Sequence, residues 1–167
     1  MMRPAPFLAL AAALALVGCG GSAEEKPAAA ATVDKDIYIS SADCADGGKV
    51  KAEECDALIE KAVKLHEKNA PSFKSLRSCE EAAGIERCEN DVTGTYRMRL
   101  QAFLVSFGKP ITAAPLYPSV GGKIGFRDDK KAAIDALSDA FTVSNAALQV
   151  AHENAKIAKN VKAVKKK

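Results

Sequence analysis

The chain has 167 residues, with 24 Lys plus Arg against 21 Asp plus Glu, five Cys and no Trp. That length suits one domain with a modest core, or a small domain carrying an extended helix. A formal charge of +3, spread along the chain, is too weak to argue for nucleic-acid binding.

Residues 1–18 read as a signal peptide. Arg3 supplies a positive start, and Phe7 to Val17 form an apolar run rich in Ala and Leu. As a helix this run covers roughly 16 Å, about half of a bilayer's hydrocarbon core, which is too short for a retained span. Leu16-Val17-Gly18-Cys19 looks like a lipobox, the recognition site of bacterial lipoprotein signal peptidase. Its chemistry needs the Cys19 thiol as the nucleophile that takes a diacylglyceryl group, and small Gly18 lets the backbone fit the peptidase. Cys19 is therefore the expected lipidation site, and acylation of its freed amine adds the second signal that stable anchoring requires. Gly20, standing where Asp usually signals inner-membrane retention, favours sorting to the outer membrane. Residues 19–32 are small, polar and Pro-containing without a periodic apolar face, and read as a flexible tether.

Asp36 to Ile39 is a short strand candidate, ended by Ser40-Ser41, which can cap a single turn holding Cys44. Lys51 to Asn69 reads as a helix, because Cys55, Leu58, Ala62 and Leu65 recur at three- and four-residue steps and Pro71 stops it. Ser75 caps a second, short helix that holds Cys79 and ends at Gly84. From Thr95 to Phe107 the period changes to two, the pattern of one strand. Leu116 to Val120 and Lys123 to Arg127 flank Gly121-Gly122 as a hairpin. Asp129 to about Val164 reads as a single long helix, with Ile134, Leu137, Phe141, Leu148, Ala151, Ala155 and Ala158 on one stripe and a weak patch at 142–145. The expected fold class is α+β: a small disulfide-stapled domain over 33–128, with two short-to-medium helices and a small antiparallel sheet, followed by a long C-terminal helix over 129–167.

With Cys19 lipidated, Cys44, Cys55, Cys79 and Cys88 remain, and an exported compartment makes two disulfides the default. Zinc is the alternative, but no C-x2-C pair exists and neither His stands at ligand spacing. Four Cys allow three pairings. Local chain geometry favours Cys44–Cys55, across Gly47-Gly48, and Cys79–Cys88, across Gly84. Each closed loop is worth roughly 2.5–3 kcal/mol in the chain-entropy treatment.

These landmarks resemble the YgiB-like family of bacterial envelope proteins over Val33 to about Asp128. The resemblance rests on Tyr38 before Cys44, then Cys55, Ala70-Pro71-Ser72-Phe73, Ser75, Cys79, Gly84 and Cys88. It continues through Pro115-Leu116-Tyr117 and Gly125-Phe126-Arg127. It departs after the fourth Cys, where family members often carry a Gly- and Met-rich stretch and this chain has the regular alternation of 96–107. The resemblance implies a disulfide-stapled envelope protein, often lipid-anchored.

Motifs for chemistry are few. His66-Glu67 and His152-Glu153 begin like H-E-x-x-H, but Ala70 and Lys156 stand where the second His belongs, so both read as helix-surface pairs without a zinc grip. Gly121, Gly122 and Gly125 precede no helix and lack a G-K-[ST] ending, so they make a turn rather than a phosphate cradle. Arg97 and Arg99 share a strand face that is either solvated or open to an anion. Lys156, Lys159, Lys162, Lys165, Lys166 and Lys167 form a basic tail, either solubilising or aimed at lipid phosphates or peptidoglycan carboxylates. A terminal Lys167 on an anchored helical chain also looks like the major outer-membrane murein lipoprotein, whose last Lys joins peptidoglycan.

The sequence thus points to a non-enzymatic, lipid-anchored protein on the periplasmic face of the outer membrane. It would bind or support, without cofactor or metal, and its partners would be the membrane and possible peptidoglycan, anionic lipid or another envelope protein. The alternatives are an envelope enzyme whose site is assembled only by folding, or a lipoprotein that binds through its Lys-rich tail.

Overall fold

The computed structural model describes residues 33–164, with side chains through residue 157. The expected signal peptide, the Cys19 lipidation site and the 19–32 tether lie outside the described residues, as do Lys165, Lys166 and Lys167.

Strand β1 (Lys35–Tyr38) leads into the single-turn helix α1 (Ser41–Asp46) and then into α2 (Ala52–Asn69). Ser40 caps α1 by accepting the Asp43 amide at 3.1 Å, one of the bonds a helix start otherwise lacks. Helix α2 buries Cys55, Leu58, Ile59, Ala62 and His66 along one stripe, and its acidic first turn, Glu53 and Glu54, faces the positive end of its dipole. Ala70 takes an extended conformation before Pro71, which ends the helix. The chain continues through β2 (Ser72–Phe73) and α3 (Leu76–Ala83), where Ser75 accepts the Ser78 amide at 3.2 Å. Then follow β3 (Cys88–Asn90), β4 (Tyr96–Met98), β5 (Ala102–Ser106), β6 (Thr112–Pro118), β7 (Gly125–Arg127), β8 (Ala133–Asp135), β9 (Thr142–Val143) and helix α4 (Asn145–Val164).

Two sheets organise these elements. The larger has the order β8-β7-β6-β5-β1-β9 and curls into a half-barrel; the smaller is β2-β4-β3. Every pairing is antiparallel except β1 with β9, where Asp36 and Ile37 lie beside Thr142 and Val143 in parallel register. The central strands bury both faces. Tyr38, Phe103, Val105 and Ala113 pack with α1 and α2 on one side. Ile37, Ala102, Leu116 and Phe126 pack with Ala147 and Ala151 of α4 on the other. Alternate residues of one strand therefore serve different helices, as the pleat dictates. A third cluster joins α3 to the small sheet through Cys79, Ala83, Cys88 and Met98, and Tyr117 reaches into it from β6.

The architecture expected from sequence is overturned in three places. Instead of one small antiparallel sheet there are nine strands in two sheets, one pairing being parallel, and four helices among the described residues. The single strand expected over 95–107 is broken: β4 belongs to the small sheet and β5 to the large one, and Arg99 to Gln101 cross between them. The Arg99 amide bonds to the Arg87 carbonyl and the Gln101 amide to the Leu116 carbonyl, at 2.9 Å each, so each end of the crossing is tied to a different sheet neighbourhood.

The third correction concerns the long terminal helix, which does not begin at 129. Residues 129–144 form turns and the edge strands β8 and β9, and α4 starts at Asn145. Ile134 and Phe141, whose spacing imitated a helical stripe, pack instead against the α4 side of the sheet. Thr142 and Val143 are β-branched and extend β1's edge, and Ser144 then caps α4 by accepting the Ala147 amide at 3.0 Å. Helix α4 is part of the domain core, with Ala147, Ala151 and Ala155 buried.

Candidate functional site

A part-buried polar cluster that joins distant segments lies where α2 meets both sheets. The α2 stripe places His66 one turn beyond Ala62, on the buried side, and the residue is only 4 % exposed. Its Nδ1 stands 3.3 Å from the Tyr117 hydroxyl of β6, and its Nε2 stands 3.1 Å from Oε1 of Glu89 on β3. The same Glu89 oxygen accepts Arg97 Nε at 2.7 Å, because β3 and β4 pair Glu89 with Arg97 across the strands. Arg97 also reaches the Glu67 carbonyl at 3.5 Å. One arrangement of protons satisfies the chain of bonds: Nε2–H donates to the Glu89 carboxylate, and the Tyr117 O–H donates to a bare Nδ1.

The electrostatics follow from this wiring. Burial pushes the Glu89 carboxyl upward, but the hydrogen bonds from His66 and Arg97 outweigh it and hold the group below the ordinary Glu range. Burial pushes the Tyr117 hydroxyl well above its ordinary value, with the negative charge of Asp129 adding to the effect. Both imidazole nitrogens are engaged, so the cluster ties α2 to the two sheets as a polar rivet.

A second cluster closes the other end of the domain. Asp36 of β1, only 1 % exposed, accepts the Tyr38 hydroxyl at 2.6 Å and Lys49 Nζ at 2.8 Å. Lys49 also bonds Asp34 at 2.8 Å and lies 4.9 Å from the Phe107 ring centroid. Its ammonium is held above the ordinary Lys range by Asp34 first and Asp36 second. The Tyr38 hydroxyl is pushed up by burial, then by its bond to Asp36. Gly47 leaves the space in which the Tyr38 ring lies, since a Cβ there would strike the Tyr38 hydroxyl. Nearby, Asp43 Oδ2 accepts the Ile39 amide at 2.8 Å and the Ser144 hydroxyl at 2.7 Å, tying α1 to the start of α4. Each of these carboxylates is used to hold elements together.

The cysteines singled out by spacing are joined as Cys44–Cys55 and Cys79–Cys88. The first bridge fastens α1 to α2 within one core cluster, and the second fastens α3 to β3 within another. All four sulfur residues are buried. Arg97 and Arg99 do not form an open anion site: Arg97 is bound to Glu89, and Arg99 Nη2 reaches the Cys88 carbonyl at 3.4 Å. Of the basic tail, Lys156 is exposed on α4, and Lys159 and Lys162 fall within the helix where side chains are outside the described residues. His152 is exposed as expected, but His66 is not the surface residue its H-E pair suggested. The signal for its burial was present in the stripe Cys55, Ile59, Ala62, His66; Glu89 and Arg97 gave none, because only strand register brings them to it.

Among the described residues, no group of three or more His, Cys, Asp and Glu is gathered closely enough to hold a metal ion, and no helix is long and apolar enough to cross a membrane. No curated protein and no solved structure matches the chain. A family model described as protein of unknown function (DUF1190) matches residues 32–166, and the chain belongs to that family. The match runs past Asp128 through the whole of α4, in keeping with a helix whose alanine face is built into the core.

Proposed function

We propose that this member of the family is an exported, lipid-anchored protein of the bacterial cell envelope whose α+β domain works by binding rather than by catalysis. The observation that carries the reading is the pair of short-range, buried disulfides in a domain of this size. Such bridges persist in oxidising compartments and not in a reducing cytoplasm. They use four of the five cysteines, and the fifth, Cys19, stands in Leu16-Val17-Gly18-Cys19. The likeness to the YgiB-like family over 33–128 supports the envelope, and Gly20 after Cys19 favours the outer membrane. Binding is favoured over catalysis because His66, the buried imidazole, is only 4 % exposed and so closed off from a substrate in solution.

Fractionation of cells expressing the full chain tests the anchor. The wild-type protein is expected in the membrane fraction, labelled by radioactive palmitate. Cys19→Ser is expected in the soluble periplasmic fraction, without label. Membrane association unchanged by this substitution would refute anchoring through Cys19.

A further inference from the structure

Gly125-Phe126-Arg127 lies apart from the anchor in the sequence, and β7 carries a buried charge that no ion pair among the described residues offsets. Arg127 is 6 % exposed. A Cβ at Gly125 would collide with the Ile134 carbonyl oxygen and stand 3.1 Å from the Ala136 nitrogen, so glycine is what lets β8 lie against β7. In register, Arg127 pairs with Ala133 and Gly125 with Asp135. Side chains alternate along a strand, which sets Arg127, Ala133 and Asp135 on one face.

A guanidinium stays charged at any physiological pH. Here its Nη2 donates to the Ala82 carbonyl at 2.7 Å and to Met98 Sδ at 2.9 Å, and neither acceptor carries a charge. Nε, shut off from solvent, has no partner. None of the ion pairs among the described residues includes Arg127. Burial holds its pKa below the ordinary Arg value, and no carboxylate offsets that effect. A buried cation without a counter-charge is costly for a core to keep.

The missing counter-charge has a place to sit. Arg127 lines a pocket of about 160 Å³ together with Lys123, Lys131 and Asp135, three cations against one carboxylate. The two lysines are exposed at its mouth. Val120, Phe126 and Ile134 supply apolar wall. The volume is close to that of an apolar cavity of ~150 Å³ that accepts benzene.

We propose that this pocket binds a small organic carboxylate, with Arg127 as the counter-charge of the oxyanion and Lys123 and Lys131 as its electrostatic rim. The planar guanidinium matches a two-oxygen anion, whereas the apolar walls favour a compact hydrocarbon body over a bare inorganic ion. The rim lysines raise the local concentration of anions and make binding sensitive to salt. The site lies wholly within the domain, so it does not depend on where the chain resides.

Isothermal titration of the purified full-length protein, disulfides intact, tests the proposal with benzoate, benzyl alcohol and inorganic phosphate. Benzoate is expected to bind, with benzyl alcohol and phosphate at least tenfold weaker. Arg127→Met is expected to weaken benzoate at least tenfold. Because that residue is buried, the exposed double variant Lys123→Ala/Lys131→Ala provides a second reading, with an expected loss of threefold or more and a flatter salt dependence. No heat with benzoate would overturn the site. So would benzyl alcohol binding as tightly as benzoate, or affinity unchanged within twofold in the double-lysine variant. Phosphate binding more tightly than benzoate would overturn the organic body of the ligand.

Discussion

Tyr117→Phe removes a single oxygen from the centre of the domain and asks what the His66 rivet contributes. The hydroxyl faces His66 Nδ1 at 3.3 Å, and His66 is 4 % exposed, so water does not replace the lost partner. An orphaned buried acceptor costs about 1–3 kcal/mol. The 3.3 Å separation is at the long end of hydrogen bonding, and the substitution also relieves the desolvation of the hydroxyl itself, which places the expected loss at about 1.5 kcal/mol. With a urea m-value of roughly 1.5 kcal/mol/M, the unfolding midpoint falls by about 1 M and m is unchanged. Glu89→Gln is the companion, because it keeps an acceptor for Nε2 while removing the charge that Arg97 pairs with. The two residues share one imidazole, so the double variant should depart from additivity by about 0.5 kcal/mol or more. A midpoint for Tyr117→Phe within about 0.2 M of wild type, together with strict additivity, would show that the proximity of these groups carries no coupling.

Stability should also report these clusters through pH. The folded state holds Glu89 below the ordinary Glu range, so its contribution is full above roughly pH 4.5 and is lost as pH falls through the folded value; Glu89→Gln should flatten this acid limb in urea titrations. Tyr38 and Tyr117 are both raised in the fold, so stability should decline above about pH 10, where the unfolded chain ionises first. Lys49→Met leaves Asp36 buried with only the Tyr38 hydroxyl, and the expected cost is about 1–3 kcal/mol, below the range for a fully buried pair because Lys49 is itself 35 % exposed. An unchanged thermal midpoint would show that Asp36 does not need the ammonium. Gly125→Ala should destabilise by more than about 2 kcal/mol, since the obstacle is Ile134 backbone and not a side chain that can turn away; calorimetry showing a loss under 0.5 kcal/mol would mean that β8 shifts freely.

Elements whose causes are local could be read from the residues that form them. Helix α2 has its stripe, its acidic first turn and its Pro71 stop within its own segment, and α3 has Ser75 and Gly84 at its ends. The two disulfides close over separations of 11 and 9 residues, short enough for neighbouring turns and helices to bring the sulfurs together. The stripe read from the sequence ran to Leu65, which is 41 % exposed; the buried line falls one residue further on, through Ile59 to His66.

What the sequence by itself determined was therefore local order where the causes are local: the spans of α2 and α3 and the β6–β7 turn, with spacing favouring one cysteine pairing of the three allowed. The tertiary structure alone decided which strand each extended segment would join. Period-two alternation states that neighbouring side chains face opposite ways, but it is the same for one strand of thirteen residues as for β4 and β5 in different sheets. Likewise, apolar residues three or four apart between 134 and 141 satisfy a helix on paper, whereas the open edges beside β7 and β1 offer backbone bonds that draw β8 and β9 out of it. The pairing of Glu89 with Arg97 and the burial of Arg127 come from that same non-local choice of neighbours, which is why neither polar site could be seen before the chain was folded.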